Sequence, residues 1–284
     1  MRYLWPILLF LLLPAKSQAL PQIVDHCKSA VSGAGSASCT VHNIINNDMI
    51  AVVFSSCGPL VPGSDMSDTF GIGWTTTATI LGFSVSSCNF RNHTLNINYA
   101  CVGGNSGNDT VSQANNGVVG YSPAIIVAVF RGVVCSTDGS ATTNNAIANS
   151  TGVQSAGNIT TTQVYDLVVG GALVNGSATF IDFSPQAGPG FLFVDSILTD
   201  WGGNDCVGGA CQCYMSMEWK AVAAASTFAV NFTFQAGNNL SNAGAVGRAF
   251  GPGTGPPVRH RAKEIKYVVR DRNRGIYARQ IVRQ

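Results

Sequence analysis

The sequence predicts an all-β protein: a two-sheet antiparallel β-sandwich of jelly-roll type with a short C-terminal β-hairpin tail. Three observations predict this class. Apolar residues recur in many short strand-like runs, clusters of Gly, Asn, Ser and Thr separate these runs, and no helical pattern extends beyond a turn or two. Many short strands without crossover helices are typical of antiparallel sheets packed face to face.

Three of the runs are almost continuously apolar. Residues 49–55, 124–130 and 166–174 carry apolar side chains at nearly every position. A strand that is buried on both faces has this pattern, because neither face needs polar groups. These runs are therefore predicted to be central strands.

Other runs alternate with period two. In residues 94–101 Asn96 and Asn98 share one face, and in residues 215–222 Glu218 occupies the same kind of position. Successive side chains of a strand point to opposite faces, so this pattern predicts one buried and one solvated face. We expect Glu218 to point outward from its strand.

The amino-terminal sequence predicts a secretory signal peptide over residues 1–19. Arg2 precedes the apolar run 4–13, and Ser17 and Ala19 place small residues at the cleavage positions. The run is too short to cross about 30 Å of hydrocarbon, which argues against the alternative of an uncleaved anchor. We therefore expect a secreted or surface-exposed protein without a membrane span.

The mature chain divides by composition into four segments. A polar lead-in over 20–36 precedes the sandwich domain at 37–250. The Gly- and Pro-rich linker 251–258 cannot pair in a sheet and leads to a basic tail over 259–284, in which two short runs could form a hairpin.

Charge is divided unequally between body and tail. Residues 20–258 contain five Lys and Arg against twelve Asp and Glu, whereas residues 259–284 contain nine against two. The tail is predicted to fold back on the body or to attach to an anionic envelope polymer or a second subunit, with a solvated tail as the alternative. Export argues against nucleic acid as its partner. The proposed attachment residues are Arg259, Arg261, Lys263, Lys266, Arg270, Arg272 and Arg274.

Nine cysteines predict disulfides in an oxidising compartment. The chain can form up to four, with one thiol left over that is either buried or available to link two copies of the chain. Spacing does not define connectivity, and closures between cysteines near in sequence are preferred. The candidates are Cys27 with Cys39, Cys57 with Cys88, and a pair among Cys206, Cys211 and Cys213.

The order of several motifs resembles a diffuse family of secreted bacterial β-sandwich domains, which are lectin-like (jelly-roll or concanavalin-like) and mostly of unassigned function. The resemblance covers about three quarters of the chain and implies the fold more than the activity. The cysteines and the basic tail depart from that pattern. The matching segments are 47–53, 66–71 with 74–75, 98–100 with 108–111, 124–129, 160–162 with 166–170, and 247–250.

One stretch combines the groups that commonly bind sugars. Trp201, Asn204 and Asp205 lie close together around two glycines, and they offer an aromatic face beside amide and carboxylate hydrogen-bonding groups. They are the predicted ligand-binding residues. Trp74 and Trp219 are instead predicted to belong to the core.

No catalytic signature is found in the sequence. None of the four histidines accompanies a G-x-S-x-G nucleophile motif. Glu218 is the single glutamate of the body, and a glycosidase needs two facing carboxyl groups. We therefore predict no catalytic residues.

Metal and cofactor binding are not predicted either. The cysteines at 206, 211 and 213 lack a nearby fourth zinc ligand, so disulfide bonding is preferred for them. Calcium is an alternative left open by Asp195, Asp200 and Asp205, which bracket one loop without regular ligand spacing.

Three functions follow from these observations. The first is a non-catalytic module for carbohydrate recognition or adhesion, whose partner is a glycan or cell-envelope polymer. The second is a structural subunit of a surface assembly, joined through the tail or the odd cysteine. The third is a glycan-degrading enzyme around Glu218.

Overall fold

A computed structural model describes residues 20–31, 35–57, 66–84, 92–114, 123–144, 153–176, 186–200, 212–233 and 240–253. All regular structure in this part of the chain is β, and every strand pairing is antiparallel. The predicted all-β sandwich class is confirmed. None of these residues belongs to a helix that could span a membrane.

The described residues form sixteen strands. In chain order they are β1 (Gln22–Ala30), β2 (Ala37–Ile44), β3 (Met49–Cys57), β4 (Met66–Asp68), β5 (Trp74–Ser84), β6 (Asn92–Cys101), β7 (Gly107–Gln113), β8 (Ala124–Arg131), β9 (Val133–Asn144), β10 (Val153–Thr160), β11 (Leu167–Gly176), β12 (Gln186–Ala187), β13 (Leu192–Asp200), β14 (Gln212–Ala221), β15 (Thr227–Thr233) and β16 (Leu240–Pro252).

These strands build four sheets, where two were expected. The first inner sheet has the order β1-β8-β3-β6-β5 and the second has β13-β14-β11-β16-β9. The first outer sheet has the order β2-β7-β4 and the second has β10-β15-β12. The two inner sheets face each other, and each outer sheet covers the other side of its inner sheet.

Three apolar cores lie between the four layers. Along β3, Met49, Ala51 and Val53 enter the core between the inner sheets, whereas Ile50 and Val52 enter the core beneath the first outer sheet. A strand with a core on each side needs apolar residues at every position. This arrangement explains the continuous apolar runs, and it confirms β3, β8 and β11 as strands with both faces buried.

The strand order shows an internal duplication. Adding eight to each label of the first inner sheet gives β9-β16-β11-β14-β13, which is the second inner sheet read backwards. The same operation converts the first outer sheet into the second. The described chain therefore contains two copies of one eight-stranded sandwich: the first half, β1 to β8, and the second half, β9 to β16.

Matching backbone details support the duplication. Asn47 and Tyr165 both adopt left-handed backbone conformations, with φ of 69° and 66°. Each is followed by a buried aspartate, Asp48 or Asp166, whose carboxylate accepts a hydrogen bond from the backbone N–H three residues earlier at 2.9 and 3.0 Å. The two turns are thus equivalent at the level of single hydrogen bonds.

Aromatic contacts join the two halves. Phe130 meets Trp219 edge-on with ring centroids 5.7 Å apart, and Tyr99 meets Phe250 at 5.1 Å. Edge-to-face pairs at this spacing stabilise by about 0.5–1.5 kcal/mol beyond the area they bury. Trp219 is a core residue, as predicted.

Two expected boundaries differ from the structure. The segment 20–36, expected to be a polar lead-in, contains β1, which pairs with β8 along its whole length. The expected linker 251–258 begins inside β16, where Pro252 pairs with Val133. The predicted signal peptide and basic tail lie outside the described residues.

Candidate functional site

The predicted sugar-binding residues Trp201, Asn204 and Asp205 lie outside the described residues, but the strands on either side of them are described. β13 ends at Asp200, β14 begins at Gln212, and these two residues are directly paired. The segment between them therefore joins neighbouring antiparallel strands at one end of the second inner sheet.

All the connections longer than six residues leave the strands at this kind of end, which we call the rim. Successive antiparallel strands place alternate connections at opposite ends. The rim connections are six to eleven residues long, and those at the opposite end, the base, are one to six. The rim connections are 31–36, 58–65, 85–91, 114–123, 145–152, 177–185, 201–211 and 234–239.

The rims of the two halves lie at the same end of the molecule. The disulfide between Cys101, the last residue of β6, and Cys135, near the start of β9, ties the two bases together. Midway along the strands Val53 of β3 lies against Gly171 of β11. Since both the bases and the strand centres are in register, the strands of the two halves extend in the same direction.

The base of the first half is held by a partly buried ion pair. The Arg131 guanidinium donates two hydrogen bonds to Asp48, from Nε to Oδ1 at 2.8 Å and from Nη2 to Oδ2 at 2.7 Å. Asp48 is 1 % exposed. Bidentate geometry of this kind is among the stronger hydrogen-bonded arrangements in proteins, and it fixes the turn between β2 and β3.

A second buried carboxylate orders the turn that follows β4. Asp109 accepts hydrogen bonds from the Thr69 N–H at 2.9 Å, the Thr69 hydroxyl at 2.8 Å and the Phe70 N–H at 3.3 Å. Burial raises the pKa of Asp109, although the hydrogen bonds from Thr69 oppose the rise. The side chain thus fixes a base turn of the first half.

In the second half the aspartate equivalent to Asp48 pairs with another acid. Asp166 is fully buried, and burial together with a hydrogen bond to Asp138 raises its pKa to about 7. Burial also acts to raise the pKa of Asp138, but hydrogen bonds from Asp166 and Thr162 outweigh it and lower that pKa. These opposite pKa shifts favour one proton on the pair at pH values below about 7, and the pair takes the place of the Asp48–Arg131 ion pair.

Glu218 does not point outward as expected, because the second outer sheet covers its face of β14. The side chain is fully buried, and its Oε2 accepts a hydrogen bond from the Gly188 N–H at 2.7 Å. Burial raises the pKa of Glu218 to about 8, while the Gly188 hydrogen bond and the nearby Lys220 act to lower it. The carboxyl group is therefore largely protonated at neutral pH, and it fixes the turn between β12 and β13.

Lys220 lies beside this carboxyl group and between two aromatic rings. Its Nζ is 4.2 Å from the ring centroid of Phe228 and 5.4 Å from that of Phe191. A cation over an aromatic face is stabilised by about 0.5–2 kcal/mol. Among the described residues no second carboxyl group shifts the pKa of Glu218, whereas a glycosidase places two carboxyl groups about 5–10 Å apart.

The described residues contain no cluster of three or more His, Cys, Asp or Glu side chains suited to a metal ion. Asp195, one of the three calcium candidates, instead accepts a hydrogen bond from Lys28 at 2.8 Å and lies 3.8 Å from His26. These contacts join β1 to β13 and so link the two halves. The side chains of the other two candidates, Asp200 and Asp205, are not described.

Two disulfides are present in the described chain. Cys27–Cys39 was predicted and is confirmed, and it joins the first inner sheet to the first outer sheet with Cα atoms 5.9 Å apart. The second, Cys101–Cys135, was missed because its cysteines lie 34 residues apart and belong to different halves. The predicted Cys57–Cys88 pair and the three cysteines of 206–213 depend on side chains outside the described residues.

The alternating strand at 94–101 also differs from its prediction. Asn96 and Asn98 of β6 were expected on a solvated face, yet both are fully buried. Their β14 equivalents, found by matching the pairing of the inner sheets, are Ser216 and Glu218. Sequence patterning missed these buried polar positions because the period of two does not reveal what covers the second face.

No family model, curated protein or solved structure matches the chain. The resemblance to lectin-like domains therefore stays a prediction. The proposed attachment residues of the tail, from Arg259 to Arg274, lie outside the described residues.

Proposed function

We propose that the protein is a secreted or surface-exposed binding module, that its ligand is a carbohydrate, and that the ligand binds at the rim. One observation carries the proposal: every connection of more than six residues, in both halves, leaves the strands at the same end. Binding residues concentrate in loops that a rigid scaffold positions. Buried carboxyl groups, the Asp48–Arg131 pair and a disulfide provide that rigidity at the base.

The segment 201–211 is the longest rim connection and contains the predicted sugar-binding residues. Trp201 offers an apolar ring for a sugar face, and Asn204 and Asp205 offer hydrogen-bonding groups for hydroxyls. Its ends are fixed by the Asp200–Gln212 pair. A rigid attachment lowers the entropic cost of ordering a binding loop.

The environment of Glu218 favours binding over glycan hydrolysis. The carboxyl group is fully buried between two sheets and holds the Gly188 N–H. A general acid must come within hydrogen-bond reach of the bond it protonates. A polysaccharide does not reach Glu218 without separation of the outer sheet from the inner one.

The disulfides support an extracellular location. Cys27–Cys39 and Cys101–Cys135 both join different sheets. Such bonds are typical of proteins that fold in a non-reducing environment. They agree with the signal peptide predicted over residues 1–19.

A glycan array tests the proposal. The mature chain is expected to bind a defined set of glycans, and Trp201→Ala is expected to abolish that binding. Leu192→Ala is the matched control, because Leu192 is 59 % exposed at the base of β13. Binding that survives Trp201→Ala, or that both variants lose, contradicts a rim site. Polysaccharide turnover that Glu218→Gln eliminates would instead support an enzyme.

A further inference from the structure

The duplication creates two equivalent crossings at the two edges of the layer between the inner sheets. At one edge β1 contacts β13, and at the other β9 contacts β5. We call these the β1–β13 crossing and the β5–β9 crossing. Matching the strand pairing makes Phe130 the equivalent of Phe250 and Trp219 the equivalent of Tyr99. The crossings can therefore be compared residue by residue.

The β1–β13 crossing is closed by apolar side chains and an ion pair. Ala128 is fully buried in the core between the inner sheets, and Ile23 and Trp219 pack in the same core. Lys28 Nζ lies 2.8 Å from the carboxylate of Asp195. This crossing shows that the edge of the layer can be closed with its cation paired.

The β5–β9 crossing has a guanidinium and hydroxyl groups at the equivalent positions. Arg248 takes the place of Ala128, and Thr143 takes the place of Lys28. Hydroxyl side chains also replace Ile23, Trp219 and Leu192. We call the five residues of this set the polar notch: Thr75, Tyr99, Thr137, Thr143 and Arg248.

The polar notch lies between the inner sheets and opens to solvent at their edge. Arg248 is directly paired with Val169, whose side chain enters the core between the inner sheets, and directly paired residues project to the same face. Thr75 and Thr143 are exposed, and the other three residues of the notch are half-buried. A ligand therefore reaches these side chains without separation of the sheets.

Arg248 is the cation of the notch, and it lacks a partner within the described ranges. Its Nε is buried without a hydrogen-bond acceptor, and none of the described ion pairs includes it. Lys28 and Arg131, by contrast, each contact a carboxylate. A buried donor without an acceptor lowers stability, and the equivalent Ala128 shows that the fold does not depend on a cation at this position.

Asp138 does not fill this role, although it acts on Arg248. Burial lowers the pKa of Arg248, and the charges of Tyr99 and Asp138 act to raise it. Asp138 is directly paired with Ala249, which enters the core beneath the second outer sheet. Its carboxylate therefore starts from the opposite face of the sheet, where it holds Thr162.

We propose that the polar notch binds an acidic saccharide, with Arg248 holding a carboxylate of the ligand. A guanidinium donates two parallel hydrogen bonds to a carboxylate, and the unpaired Nε supplies one of these donors. Hydroxyl side chains donate and accept hydrogen bonds, which suits the hydroxyls of a sugar. The single cation of the notch matches the single charge of a carboxylate, whereas a phosphate monoester carries roughly −1.5 to −2.

This inference goes beyond the proposed function, because it concerns another site and requires a charged ligand. Arg248 lies four residues from Pro252, at the base end of β16. The proposed sugar-binding segment 201–211 leaves its strands at the rim. A substitution at one site therefore leaves the other intact.

Isothermal titration calorimetry on the mature chain tests the inference with hexamers of galacturonate, mannuronate and guluronate, with their methyl esters, and with inorganic phosphate. We expect at least one uronate hexamer to bind. Complete methyl esterification removes the charge and keeps the sugar, so it is expected to weaken that binding at least tenfold. This comparison uses the wild-type protein alone.

Substitutions then locate the site. Arg248→Ala introduces the residue of the equivalent crossing and is expected to weaken uronate binding at least tenfold. Arg248→Lys keeps the charge but not the paired donors, so its affinity should lie between those of wild type and Arg248→Ala. Lys28→Ala, which removes a cation from the β1–β13 crossing, is the matched control and should leave the affinity unchanged.

The proposal is overturned if no uronate hexamer binds, if ester and free acid bind equally, or if phosphate binds more tightly than every uronate. Equal affinity in wild type and Arg248→Ala also overturns it. Loss of binding in Trp201→Ala but not in Arg248→Ala keeps the rim and rejects the notch, and the reverse keeps the notch and rejects the rim. A thermal midpoint of Arg248→Ala at or above that of wild type shows that lost binding is not lost fold, and with a lower midpoint the ester comparison decides.

Discussion

Replacement of Asp166 by asparagine tests whether the Asp138–Asp166 pair shares one proton. An asparagine keeps an oxygen to accept the hydrogen bond from the Gln163 N–H, and its amide donates to Asp138 without taking a proton from solvent. The variant therefore imitates the protonated acid at every pH. Its stability relative to wild type is expected to depend on pH.

The sign and size of this dependence follow from the pKa of Asp166, which is raised from 3.8 to about 7 in the folded protein. Between these values the folded chain holds a proton that the unfolded chain has lost. The free energy of unfolding therefore falls as the pH rises, by at most about 1.4 kcal/mol per pH unit. The stabilisation is complete below pH 3.8 and is lost as the pH passes through about 7.

Asp138 acts in the opposite direction, because its pKa is lowered overall in the folded protein. The full change of about 4 kcal/mol in the free energy of unfolding, which Asp166 alone would cause, is thus an upper bound. We expect Asp166→Asn to match wild type near pH 4 and to exceed its free energy of unfolding by about 1–4 kcal/mol at pH 8.

Urea unfolding without reductant, followed by tryptophan fluorescence at pH 4.5, 6 and 8, measures this difference. Parallel pH profiles of wild type and Asp166→Asn would refute a shared proton. Asp48→Asn is the control at the equivalent position. It leaves Arg131 without its carboxylate, so a loss of about 2–4 kcal/mol is expected at both pH 6 and pH 8.

Two further changes test the packing between layers. Gly170→Ala places a Cβ 2.7 Å from Cγ1 of Val230, so we expect the free energy of unfolding, measured in urea, to fall by about 1–3 kcal/mol. Gly73→Ala is the control, because its Cβ meets nothing within 4 Å, and its free energy of unfolding should stay within about 0.5 kcal/mol of wild type. Replacing Cys101 and Cys135 by serine is expected to lower the free energy of unfolding by about 2–4 kcal/mol. If the wild-type protein has the same unfolding midpoint with and without reductant, a stabilising bond between the halves is contradicted.

The central strands could be predicted because their environment leaves a strong sequence pattern. β3, β8 and β11 each lie between two cores, so both of their faces are apolar. β1 could not be predicted, because it is a half-exposed edge strand with polar residues such as His26 and Lys28. Its place in the sheet depends on tertiary contacts: pairing with β8, the disulfide to β2 and the ion pair to Asp195.

The duplication left only a faint trace in the sequence. The clearest shared feature is an aspartate followed by two apolar residues, which occurs at Asp48 and again at Asp166. Most other equivalent positions differ, since many apolar residues of similar size satisfy a sheet core. The sequence therefore predicted one sandwich with two sheets, whereas the described chain has two copies and four layers.

The buried polar residues were missed for a related physical reason. Period-two alternation shows that Asn96, Asn98 and Glu218 lie opposite a core face, but it does not show whether solvent or another sheet meets them. In a two-layer sandwich these positions would be solvated, and here all three side chains are fully buried. A buried carboxyl group that anchors a turn and two buried carboxamides thus have the sequence pattern of an ordinary surface strand.

The two copies also indicate which buried polar groups have a structural role. At the base, the buried aspartate that follows the equivalent turn has a different partner in each copy. Asp48 pairs with Arg131 in the first half, and Asp166 pairs with Asp138 in the second. Both pairs fix the turn beside them, so substitutions of their residues alter the free energy of unfolding. Asn96 has no such structural duty among the described contacts, and its removal relieves a buried polar group.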